Sequence, residues 1–159
     1  MKFLKTIALL ITFASALALW LTRENYMESI SAFALSKNAL YYRTMHLSMV
    51  FFFLINAVDF KKYATEFVLA AGVAGILIFD MYNNPVLHNI FTVGTLVLAC
   101  ITLLINVKED SLSRELAVLL VLCTLGIFAV GYYTDMHFFL AEVLAMGFVA
   151  TGKLIEVYK

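Results

Sequence analysis

Six apolar runs, each about 16 to 22 residues long, take up most of the chain at 6–22, 39–58, 66–81, 86–107, 116–133 and 138–157. About 20 apolar residues in a helix match the hydrocarbon thickness of a bilayer, and the two shortest runs need local thinning or polar flanks. An open sheet would leave backbone groups unsatisfied in lipid, so all six read as helices. Soluble domains are about 45–50% apolar and about 25% charged. This chain of 159 residues is 64% apolar and 14% charged, with a mean hydropathy of +0.95. The fold expected is therefore all-α, a single polytopic membrane domain over 1–159 with six transmembrane helices in three hairpins. One proline and no low-complexity linker give no sign of a second domain.

The first run poses a choice. Lys2 and Lys5 precede it, and Ala14-Ser15-Ala16 has the form of a cleavage site for a secretory signal. The run continues through Trp20 to Thr22, which favours a retained first helix. Counting basic residues by side orients the chain. Lys2, Lys5, Lys61, Lys62, Lys108, Arg114, Lys153 and Lys159 fall on one side, against Arg23, Lys37 and Arg43 on the other. Both termini are expected in the cytoplasm, with Tyr26, Tyr41, Tyr42, Tyr82, Tyr132 and Tyr133 at the outer boundary. The longest outer loop, 23–38, has Met27, Ile30, Phe33 and Ala34 at helical spacing and reads as a short interfacial helix or a plain connector. Ser111 or Ser113 is placed to cap the fifth helix, and Pro85 to open the fourth.

An internal repeat of about 50 residues is suggested by Leu54-Ile55-Asn56, Leu104-Ile105-Asn106 and Leu154-Ile155-Glu156. Each closes an even-numbered run. His88 and His137, and Tyr82 and Tyr133, recur at nearly the same interval. Such a repeat would give the hairpins pseudo-threefold symmetry, with sites at the repeat interfaces.

Charged and titratable residues inside these runs are costly and mark pathways, relays or pairs. The expected ligand or proton pathway comprises Arg43, His46, Asp80, His88, Asp135, His137 and Glu142. Counted back from the Leu-Ile marks, Arg43 and Glu142 lie at one height, so they are expected to pair and clamp two helices or to floor an outward cavity, the alternative being that Arg43 snorkels to the outer headgroups. His46, one turn deeper, is a candidate for proton exchange near neutral pH. Asp135 reads as a cap for the last helix.

No cofactor is expected. Zinc on His46, His88 and His137 is the alternative, but none of these residues has the spacing of a helical metal motif. Three histidines with membrane carboxylates resemble the inventory of membrane-embedded zinc hydrolases of the alkaline-ceramidase type. The paired histidines of that family's terminal helix are missing here. Cys100 and Cys123 sit mid-run and read as packing residues. Gly72 and Gly75, Gly126 and Gly131, and Gly94, Gly147 and Gly152 read as close-packing faces.

Zero net charge gives no reason to expect nucleic acid. The partners expected are the bilayer and other membrane subunits or further copies of the chain. Three functions fit: a transport, permeation or small-ligand-binding component; a structural subunit of a larger assembly; or a metal-dependent lipid hydrolase.

Overall fold

A computed structural model describes residues 1–22, 30–60, 63–108, 113–133 and 138–158. All regular structure among them is helical: α1 (Lys2–Thr22), a 3-10 helix (Ile30–Leu35), α2 (Ala39–Phe60), α3 (Tyr63–Ile78), α4 (Pro85–Lys108), α5 (Arg114–Tyr133) and α6 (Phe138–Tyr158). The caps follow the sequence. Asn84 Oδ1 accepts the Leu87 N–H at 3.2 Å, with Pro85 as the first helical residue of α4. Ser113 Oγ accepts the Leu116 N–H at 3.4 Å at the start of α5.

Successive helices pack in order, and α6 returns to α1, closing a ring that α4 and α6 also bridge. One end, the terminal end, gathers the start of α1, the finish of α2, the start of α3 and the finish of α6. Lys5 Nζ meets Asp59 Oδ2 there at 2.6 Å, Lys153 Nζ meets Glu66 Oε1 at 2.5 Å, and Thr6 Oγ1 meets Tyr158 OH at 2.9 Å. The far end gathers the starts of α2, α4 and α6 with the finish of α3. The main core fills the terminal half with residues such as Leu9, Phe52, Leu69, Leu103, Leu120 and Val149, drawn from all six helices. A second core at the far end is built from α1, the 3-10 helix and α2, around Leu19, Phe33, Tyr42 and Met45.

Among the described residues, three helices are long and apolar enough to cross a membrane, within Lys2–Thr22, Pro85–Ile105 and Arg114–Gly131, rather than the six expected. α2 carries Arg43, His46, Asn56 and Asp59, and α3 has only 16 residues.

In the 23–38 loop the described part begins at Ile30. Ile30, Phe33 and Ala34 are buried against the bundle, so its apolar side chains face protein. Among the described residues, α2 packs extensively on α3, whereas α4 touches α5 far less.

The glycines divide into two kinds. A Cβ on Gly72 would collide with Thr95, one on Gly75 with the Phe91 ring, and one on Gly152 with Leu103, so α4 packs closely on α3 and α6 at these points. Gly94, Gly126 and Gly147 face open space and mark no close approach. Cys100 is buried and Cys123 half-buried, both as free thiols.

Candidate functional site

The first turns of the even helices bring three of the expected site residues together. On α2, Tyr42, Met45, His46 and Met49 recur at helical spacing and form the inward stripe. On α4, His88 lies in the first turn. On α6, Glu142 lies one turn in. His46, His88 and Glu142 all line one cavity of about 140 Å³ inside the ring. Its wall is otherwise mostly aliphatic and aromatic. Along α6 it runs from Glu142 to Lys153, about 16 Å at ~1.5 Å per residue.

Both imidazoles are held from one side. His46 Nδ1 lies 2.9 Å from the Tyr42 carbonyl and His88 Nδ1 lies 2.9 Å from the Phe79 carbonyl. A carbonyl only accepts, so Nδ1–H is the donor in each ring. The neutral form then carries its lone pair on Nε2, and neither Nε2 has a partner among the described residues. His46 is 5% exposed and His88 is 3% exposed, so each ring is buried within the bundle. The Tyr42 ring leans on His46, with centroids 4.3 Å apart. Tyr42 OH donates to the Ile76 carbonyl at 3.4 Å, tying α2 to α3.

Glu142 is half-buried, and its Oε2 accepts the Ile30 N–H at 2.6 Å. That bond pins the 3-10 helix over the far mouth, where Ile30 and Ser31 join the cavity wall. No cation among the described residues pairs with Glu142. The expected partner, Arg43, is exposed and makes no such bond. Equal height along two helices is not enough. With Tyr42 and His46 turned inward, the intervening Arg43 is rotated out of the ring.

Asp80 lies outside the cavity, in the α3–α4 turn. Its Oδ1 accepts the N–H groups of Tyr82 and Asn83, each at 2.9 Å, and its Oδ2 accepts Asn83 Nδ2 at 2.5 Å. These bonds, led by the Asn83 backbone N–H, hold its carboxyl below the usual range. Asp80 is thus a turn former. Asp135 and His137 lie outside the described residues, as does the capping role expected of Asp135. Among the described residues no three His, Cys, Asp or Glu side chains are placed to share a metal ion.

Sequence reading missed the polar pairs of the terminal end. Lys153 and Glu66 are 1% and 0% exposed and bind each other, and Lys5 is buried against a partly exposed Asp59. Asn56, 0% exposed, has no side-chain partner among the described residues. The available signal was depth. Glu66 lies early in one run and Lys153 late in another, at the same end, and the reasoning applied to Arg43 and Glu142 would have joined them. Set against protein families, curated proteins and solved structures, the chain matches none.

Proposed function

We propose that this is a six-span membrane protein whose axial cavity binds a small, largely apolar ligand, as a carrier or a ligand-binding component. The observation that carries the reading is one cavity reached by His46, His88 and Glu142 from three different helices. A pocket of mostly apolar wall with a few polar groups is the usual form of a small-molecule site. A cavity of about 150 Å³ is enough for one benzene ring.

The six-span reading draws on the outer surface. Leu10, Leu47, Val68, Ile90, Leu122 and Leu144 are exposed, one on each of the six helices. Glu66 of α3 and Lys153 of α6 are paired with each other, away from that surface. The terminal end is assigned to the cytoplasm by the basic-residue bias. Lys5 and Lys153 are spent on ion pairs, and the remaining Lys and Arg still favour that side by six to three.

Gly147 supplies the test. It lines the cavity, and a Cβ there meets nothing within 4 Å. Gly147→Leu should fill the space without a backbone clash and hold the melting temperature at or above the parent's, since glycine costs a helix about 1 kcal/mol. In detergent, 2-phenylethanol should stabilise the parent against heat and leave Gly147→Leu unmoved. Equal stabilisation of both proteins, or of neither, would count against a ligand site.

A second reading, a structural subunit of a larger assembly, is favoured by the paired charges of the terminal end. It predicts that changes to Lys153 or Glu66 lose partner recovery, with no ligand effect in the parent.

A further inference from the structure

The chemistry of the cavity selects among ligands, and this step rests on the reading of the cavity as a ligand site. The groups with open hydrogen-bonding capacity are the two imidazoles and Glu142, which offer acceptors, and the Thr95 hydroxyl, which can donate or accept. In the neutral rings, His46 Nε2 and His88 Nε2 each offer a lone pair, because each Nδ1–H is committed to a carbonyl. Glu142 gives Oε2 to the Ile30 N–H, and its Oε1 has no partner among the described residues. An ionised carboxylate in a mostly apolar enclosure requires a counter-charge, and the described residues supply none. Arg43 is turned outward, and Lys153 lies at the opposite end of the cavity, bonded to Glu66.

The walls fit the same ligand. Phe13, Tyr42, Phe52 and Phe53 line the space together with Met45 and Met146. Aromatic faces attract cations, and methionine adapts to variable apolar shapes. An anion would meet a carboxylate and two acceptor nitrogens. A metal ion would need a cluster that the described residues do not form.

We infer that the cavity takes an organic ammonium ion with a compact apolar body, its charge on Glu142 and its N–H groups shared with the imidazole acceptors. A quaternary ammonium keeps the charge and loses the N–H donors. A neutral alcohol keeps a donor and loses the charge. A carboxylate reverses the charge.

The experiment is calorimetric titration of the detergent-purified full chain near neutral pH. The probes are 2-phenylethylammonium, its N,N,N-trimethyl form, 2-phenylethanol and 3-phenylpropanoate. The expected order is ammonium, trimethylammonium, alcohol, carboxylate, with the first about 10- to 100-fold tighter than the alcohol, as for a charge-assisted hydrogen bond. Glu142→Gln keeps an oxygen for the Ile30 N–H, and should remove that advantage while leaving the alcohol within about twofold. His88→Gln is the second variant and should weaken the primary ammonium more than the trimethyl form.

If the alcohol or the carboxylate binds as tightly as the ammonium, or Glu142→Gln changes nothing, the ammonium assignment is overturned and the ligand site stands. If no probe binds the folded parent, both fall.

Discussion

Lys5 and Lys153, at the terminal end, each reach a carboxylate. At the far end, among the described residues, Glu142 accepts a backbone N–H, and the Nδ1–H groups of His46 and His88 donate to backbone carbonyls. Both ends place titratable side chains inside an apolar ring, yet the chemistry left over differs. The paired charges tie α1 to α2 and α3 to α6. Side chains anchored to backbone keep one polar atom each for something else. The polar residues that stabilise this fold and those able to meet a ligand are therefore separated along the bundle axis.

The largest effect expected tests the locked end. Lys153→Ala leaves Glu66 buried without its cation, and should cost about 3–5 kcal/mol in chemical unfolding of the detergent-solubilised protein. Glu142→Gln in the same assay should cost under about 1 kcal/mol. Equal losses would erase the contrast between the two ends.

Next is the frame between them. Gly75→Ala drives a methyl into the Phe91 ring, which stacks on Phe79 with centroids 5.5 Å apart. It should destabilise by about 1–3 kcal/mol, as overpacking does, whereas Gly147→Leu should not.

The smallest effect belongs to Asp80. Its carboxyl titrates below the usual value, so its bonds contribute stability above the unfolded-state pKa of about 4. That contribution is lost as pH falls through the lowered value. Hydrogen exchange at the Tyr82 and Asn83 amides should quicken over that range in the parent. In Asp80→Asn the rates should follow only the ordinary pH dependence of exchange. Protection that persists in acid would mean the turn is held by something else.

Much of this architecture was legible because helices announce themselves locally. Pro85 after Asn84, Ser113 before Arg114 and the long apolar runs set boundaries that lie within a few residues of those observed. His46, His88 and Glu142 were legible too, since polar residues in apolar runs stand out wherever they point. What escaped was azimuth. Whether Arg43 faces inward depends on which stripe of α2 the neighbouring helices cover, and that is a property of the ring, not of α2. The Lys153–Glu66 pair escaped for a related reason, because a lysine near the finish of a run has the form of a surface anchor until another helix covers it. The 3-10 helix was read as amphipathic correctly in its spacing, but spacing does not say whether protein or lipid receives the apolar side.

The bond from Ile30 to Glu142 has a consequence for how the chain is made. Its two ends lie 112 residues apart, so the donor leaves the ribosome long before the acceptor exists. During synthesis the 3-10 helix must wait beside an unfinished bundle until α6 arrives, and the cavity stays unsealed for that interval. Closure of the far mouth through this bond therefore has to follow the synthesis of α6.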